Sequence, residues 1–371
     1  KVLKACSLLV ELNLSHNELM DAPPELAYLV CLELLNISNN MINHFPADLP
    51  VSLQTIIAHN NRLFYSPMPN SIGNLSNLRM LDLSNNQLEE LPDAMSNLRL
   101  LQTLDLSTNC IINIPECIFN MASIETLNFS NNSINKVPQA IGGLKTLHSL
   151  DLSNNKLTVL TDSIGRLVHL EKLILGFNDL LTLPDTIGDL TELEELDYQE
   201  NHRFDDFPPM MSKLRKLRKF NCRNTRIAHL PSSLKYWTAL LELNSRDNGQ
   251  IDEFPDDIGQ LVNLRLINMD GCSIKSIPES IGNLIQLIQL DLRSNQLATY
   301  SFPSSISNLN SLQRLFLSGN SIEILPEEIC KLPSLLELDV SHNNLVNLPE
   351  EIGELKQLEK LYANNNKFET V

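Results

Sequence analysis

The chain has 371 residues, of which 43% are hydrophobic but only 5% aromatic, and its formal net charge is -17. So negative a surface repels a phosphate backbone or an anionic bilayer, which excludes nucleic acid as the expected partner. No run of about 18 apolar residues is present, so no membrane insertion is expected.

From its first residues the chain repeats one frame, LxxLxLxxNxL. The asparagine column falls at Asn17, Asn40, Asn61, Asn86, Asn109, Asn132, Asn155, Asn178, Asn201, Thr225, Asn248, Cys272, Asn295, Asn320, Asn343 and Asn366, which makes sixteen repeats. Within "LDLSNNQLEELP", Leu81 and Leu83 alternate with Asp82 and Ser84, the period of a strand. The leucines point inward and Asp82 and Ser84 outward. Asn86 turns the chain, and its amide can bond backbone groups of the neighbouring coils. No repeat can bury its own leucines, so the repeats must stack. After each frame comes an "LP" step and a segment such as "LPDTIGDL", expected to form a short helical or 3₁₀ piece.

Departures follow in chain order. A deletion between Pro46 and Asn61 should shorten one convex segment. Insertions after Asn61, Asn201, Asn248 and Asn295 lie on one rim and bring in Tyr65, Phe204 and Tyr300, which are candidate contact residues. Phe207, Phe254 and Phe302 take the leucine position before proline and are assigned to the core.

The outward strand positions are monotonous at first: Asn13 and Ser15, Asn36 and Ser38, Asp82 and Ser84, Asp105 and Ser107, Asn128 and Ser130, Asp151 and Ser153. From the eighth repeat they change to Lys172, Ile174 and Phe177, then Glu195, Asp197, Gln199 and Glu200. Next come Lys219, Asn221 and Arg223, then Glu242, Arg246 and Asp247, then Asp270, then Gln289, Asp291 and Arg293, then Arg314 and Phe316. Arginine and aromatic residues on an open face are what protein interfaces enrich. Mixed charges there select a partner by complementarity.

Catalytic chemistry is not indicated. The histidines, among them His16, His59, His169, His229 and His342, show no ligand spacing, so no metal is expected. "GGLKT" at Gly142 lacks the rest of a phosphate loop, and no cofactor is expected. Glu350 and Glu351 suit the start of a short helix better than an acid–base pair. Sequons at Asn13, Asn36, Asn74, Asn128 and Asn131 are largely by-products of the strand wording and are read as unused. Seven cysteines, none in a CxxC pair, fit free thiols in a reducing, cytoplasmic setting.

The 23-residue "LPxxIGxLxxLxxLxLxxN" wording resembles the intracellular class of the leucine-rich-repeat family over the whole chain. It is similar to the Ras-scaffold (Sur/Shoc-type) proteins, the LAP/Scribble-type proteins and the repeat regions of fungal adenylyl cyclases. The resemblance implies an α/β solenoid over residues 1–371, a single curved horseshoe with a parallel concave sheet of about 16 strands. It implies a non-catalytic scaffold of intracellular signalling that binds a partner on the concave face, a Ras-like small GTPase or a phosphatase. The alternative is the recognition domain of a larger signalling enzyme, a Roco-type kinase, an adenylyl cyclase or a PHLPP-like phosphatase. Both ends lie inside a repeat without a polar cap, the expectation for a piece excised from a longer protein.

Overall fold

A computed structural model describes residues 3–64, 68–204 and 206–369. Tertiary contacts divide the chain into two units, Lys1–Asn178 and Asp179–Val371. Tyr65, expected at the rim, lies outside the described residues.

Among its described residues the first unit holds eight strands: β1 (Glu11–Asn13), β2 (Leu34–Asn36), β3 (Thr55–Ile57), β4 (Met80–Asp82), β5 (Thr103–Asp105), β6 (Thr126–Asn128), β7 (Ser149–Asp151) and β8 (Lys172–Ile174). Each pairs in parallel with the next, in register, so that Leu81 faces Leu104 and Leu127 faces Leu150. The pairing runs past the strand ends, where Leu83 N donates to Asp105 O at 2.9 Å and Asn85 N to Ser107 O at 2.8 Å. The inward residues Leu81, Leu83, Leu104 and Leu106 are fully buried. Each such leucine contributes roughly 1.5–3 kcal/mol of apolar burial.

Proline sets the opposite side. Pro92, with φ -70 and ψ 144, leads into a 3₁₀ turn at Asp93–Asn97. There Met95 N donates to Pro92 O and Leu98 N to Met95 O, both at 3.0 Å. The same turn recurs at Asn70–Asn74, Glu116–Asn120, Gln139–Gly143 and Asp162–Arg166. The deletion after Pro46 has the expected effect, since no 3₁₀ turn lies between β2 and β3 among the described residues.

The asparagine column performs the role its chemistry suggests. Asn155 Oδ1 accepts from Ile134 N at 2.9 Å, one coil back. Its Nδ2 donates to Phe129 O, also one coil back, and to Leu152 O and Ser153 O of its own coil. Asn86 and Asn109 repeat the pattern. Immediately before the column each repeat places one residue in the left-handed region, from His16 (φ 56) to Asn365 (φ 56). Most of these residues are Asn, Gly, His, Asp or Ser, whose short side chains tolerate that backbone. Thr108 (φ 55), Phe177 (φ 58) and Glu200 (φ 58) are exceptions.

The second unit has the same plan, with eight strands among its described residues: β9 (Glu195–Asp197), β10 (Lys219–Asn221), β11 (Glu242–Asn244), β12 (Leu266–Asn268), β13 (Gln289–Asp291), β14 (Arg314–Phe316), β15 (Glu337–Asp339) and β16 (Lys360–Tyr362). They also pair in parallel and in register. One four-residue α-turn, Glu327–Cys330, replaces a 3₁₀ turn. Where the column lacks asparagine, Thr225 Oγ1 donates to Cys222 O at 2.9 Å, and Cys272 Sγ lies 3.4 Å from Ser245 O.

Phe204 corrects one expectation. It is not a contact residue on the rim but is 1% exposed. Its ring lies 4.5 Å from those of Tyr198 and Phe207, and Phe207 continues through Phe220 to Trp237. The longer loop after Asn201 folds inward because a phenylalanine gains more by burial than by exposure. Trp237 packs at the end of this file, and its Nε1 donates to Met211 O at 2.9 Å.

Candidate functional site

The monotony of the first unit has a structural cause. The outward Asn or Asp of each strand folds onto the serine two residues on. Asp82 Oδ1 accepts from Ser84 N at 2.9 Å and Ser84 Oγ at 2.7 Å. Asn36 with Ser38 and Asp151 with Ser153 make the same pair of bonds. Asp105 and Asn128 each accept the corresponding backbone N–H. These side chains close an Asx turn that takes the chain out of the strand, so their polarity serves the fold.

At β8 the wording breaks. Lys172 is exposed, Ile174 is half-buried, and Gly176 replaces serine. Phe177 stands 44% exposed on left-handed backbone. A bulky residue held there costs on the order of 1 kcal/mol and gains little from burial.

In the second unit the Asx turn survives, since Arg223 N, Arg246 N and Asp270 N still bond Asn221, Asn244 and Asn268. In three repeats of this unit, however, the serine has become an arginine, at Arg223, Arg246 and Arg293. Arg223 lies 3.7 Å from Glu200 and 2.9 Å from Asp247. Arg246 Nε lies 3.3 Å from both Asp247 and Asp270, close enough for ion pairing though not aligned as a hydrogen bond. Arg293 lies 3.9 Å from Asp270 and 2.5 Å from Asp291. The hydrogen bond and charge of Asp291 push the Arg293 guanidinium above its already high range. Glu200, Arg223, Asp247, Arg246, Asp270, Arg293 and Asp291 thus form one unbroken file of alternating charge.

Around this file sit the remaining predicted residues. Phe316 lies 5.3 Å below the Arg293 guanidinium, a cation–π contact. Arg314 donates to Gln289 at 3.1 Å. Lys219 is 3.6 Å from Glu242. Asn221 donates to Asp197, which also accepts from Gln199 N. A shallow depression of about 360 Å³ opens among Glu195, Asp197, Lys219, Asn221 and Glu242. The predicted strand residues from Glu195 to Phe316, Phe204 and Tyr300 apart, therefore share one surface. Lys172, Ile174 and Phe177 belong to the first unit. Tyr300 is 97% exposed, without a neighbouring side chain to fix it as part of that surface.

Sequence reasoning missed Asn224, whose Nδ2 bonds Glu200 at 2.8 Å. It also missed how deeply two acids sit, with the side chains of Asp270 and Asp291 only 9% and 2% exposed. The left-handed position carried the missing signal, since it changes from Asn154 to Glu200 and Asp247. Among the described residues no group of acids, histidines and cysteines could hold a metal ion. Among the described residues no helix is long and apolar enough to cross a membrane.

Comparison with known proteins now places the chain. Family models match as a leucine-rich repeat region over residues 124–243 and as leucine-rich repeats over 51–111 and 263–284, 286–309, 311–332 and 334–355. A solved leucine-rich-repeat protein from Leptospira interrogans superposes with a TM-score of 0.92 at 30% identity, over 99% of this chain and 93% of that one. The chain belongs to the leucine-rich-repeat family. This leucine-rich-repeat chain also resembles the ectodomain of the plant membrane receptor kinase GASSHO1/SCHENGEN3 from Arabidopsis thaliana, solved in complex with Casparian strip integrity factor 2. There the TM-score is 0.70 and the identity 30%, over 98% of this chain and 48% of the receptor. A shorter stretch of 83 residues is 37% identical to leucine-rich repeat-containing protein 58 from Xenopus tropicalis, covering 22% of this chain and 24% of that protein. The chain thus spans a quarter or less of the length of the curated relatives it matches.

Proposed function

We propose that this chain is a non-catalytic binding module that takes a protein partner on the outward face of β9–β14. The observation that carries the reading is the file of three arginines, each fixed between two carboxylates. Guanidinium groups already held in place lose little side-chain freedom on binding. Their free N–H groups and flat faces, with Phe316 beside them, are the anchors that interfaces use. The complex formed by the Arabidopsis receptor supports the use of this fold for polypeptide recognition. The repeat wording favours a Ras-like small GTPase in cytoplasmic signalling, with a phosphatase as the other candidate.

The test is affinity capture from extracts of the source cell, with GTP- and GDP-loaded GTPases compared. Arg223→Glu with Arg246→Glu should release the captured partner, whereas Asn13→Lys with Asn36→Lys should leave it bound. The reverse pattern would put the binding face in the first unit.

A further inference from the structure

On the 3₁₀ side, successive turns nest because the fourth residue of the turn is small. A Cβ built on Gly73 would lie 2.3 Å from Ala94 O, one on Gly142 2.8 Å from Ser163 O, and one on Gly188 2.1 Å from Met210 O. The carbonyl of the next coil thus occupies the space a side chain would need. Two turns break the rule: that of Leu234–Tyr236 carries Lys235 at that position, whose chain can extend to solvent, and Glu116–Asn120 carries Phe119. A benzyl group cannot share that space with the following turn, Gln139–Gly143. Between the two opens a cleft of about 580 Å³. Its apolar lining comes from Ile114, Phe119, Pro138 and Ala140, with Glu116 and Lys136 also at its edge. Phe119 is only half-buried although it is a large apolar residue.

The cleft runs on into a groove of about 450 Å³ that shares Ile114 and Glu116 and adds Glu89, Glu90 and Asp93. No lysine or arginine lines the groove. Among the described residues none of these four carboxylates has a cation within ion-pair reach. Acids gathered in a groove focus a negative potential that attracts cations. The apolar cleft offers burial to an uncharged side chain next to them.

We propose that this cleft and groove bind an extended segment of a protein partner in which an aliphatic or aromatic residue neighbours lysine or arginine. The apolar side chain packs on Phe119, and the basic one lies among Glu89, Glu90, Asp93 and Glu116. An acidic segment is repelled from the groove, and an uncharged one forgoes half of the site. The proposal is independent of the arginine file in the second unit.

The experiment is selection of displayed random peptides on the full chain, followed by fluorescence polarisation with the recovered peptides. The expected sequences pair Lys or Arg with Leu, Ile, Met or Phe. Phe119→Gly, which restores the residue found at Gly73 and Gly188, should weaken them about tenfold. The exposed pair Glu89→Lys with Glu90→Lys should do the same and remove the salt dependence, whereas Arg223→Glu should leave affinity unchanged. Recovery of acidic or wholly neutral peptides, recovery of none, or equal binding to the parent and both variants would overturn the proposal.

Discussion

Replacing Asn155 with alanine tests the column that ties coil to coil. The structure separates what is lost outright from what is shared. Ile134 N has only Asn155 Oδ1 as its acceptor among the described residues, so its buried N–H would be orphaned. Phe129 O keeps Asn132 Nδ2, Leu152 O keeps Asn178 Nδ2, and Ser153 O keeps Asn131 N. Those three carbonyls are weakened without being stranded. An orphaned buried donor costs roughly 1–3 kcal/mol, and each weakened neutral bond roughly 0.5 kcal/mol. The sum is roughly 2.5–4.5 kcal/mol. By contrast, Ser153→Ala removes a single half-exposed hydroxyl bond to Asp151 and should cost under about 1 kcal/mol. Urea unfolding followed by circular dichroism gives the global loss. Because repeat arrays can unfold in pieces, hydrogen exchange at Ile134 N supplies the local one. If Asn155→Ala costs less than about 1 kcal/mol and Ile134 keeps its protection, the ladder does not hold the coils together.

Gly188→Ala should cost about 2 kcal/mol or more, because its Cβ would meet Met210 O at 2.1 Å; Gly353→Ala, with nothing within 4 Å, should be neutral or slightly stabilising, and urea midpoints distinguish them. Tyr198→Phe should raise stability by about 1 kcal/mol in the same assay, since the hydroxyl is buried without a partner among the described residues. With a thiol reagent at pH 8, Cys6 and Cys110 should react at once, whereas Cys222 and Cys272 should react only after unfolding. Burial pushes the Cys117 thiol up to about 11 and that of Cys272 up to about 12, from 9.0. The folded state then keeps protons that the unfolded chain has released, so this stabilisation is full below pH 9 and is lost as pH rises through 11–12; urea midpoints at pH 8 and 11 check the sign.

The fold was legible because its determinants are local and repeated. Leu81, Leu83 and Asn86 state inward, inward and turn, and the neighbouring coils say the same at Leu104, Leu106 and Asn109. Even the lost 3₁₀ turn after Pro46 was visible as a missing length. Side-chain direction in the longer loops was not. "HRFDDFP" shows two aromatic residues beyond a strand end, but whether Phe204 turns outward or onto Tyr198 and Phe207 depends on packing that the spacing does not state. The charged residues of the second unit could be located from spacing alone. Their arrangement into a file, with Asp270 and Asp291 beneath the arginines, could not, because each pair joins adjacent repeats or depends on rotamer. The cleft at Phe119 went unread for the same reason: a glycine position is recognised as necessary only when the carbonyl filling it is seen.

The two units use the same outward columns for different ends. In the first, Asp82 and Ser84 spend their hydrogen bonds on each other, so the surface is polar without being available. In the second, at Asn221 and Asn244 the Asx turn is closed by the backbone N–H of Arg223 and Arg246, and at these positions and at Arg293 the residue that replaces serine reaches sideways to a neighbouring coil. Arg223, Arg246 and Arg293 do so, and the acids they meet lie one position away in the left-handed column or across the strand. A solvated face would not need this order, because exposed ion pairs contribute at most about 1 kcal/mol each. Burying Asp270 and Asp291 beneath arginines has a desolvation cost that pairing only offsets. Phe177 likewise keeps a strained backbone with its ring in solvent. Stability alone therefore does not explain these residues, and that is the ground for the binding role proposed for them.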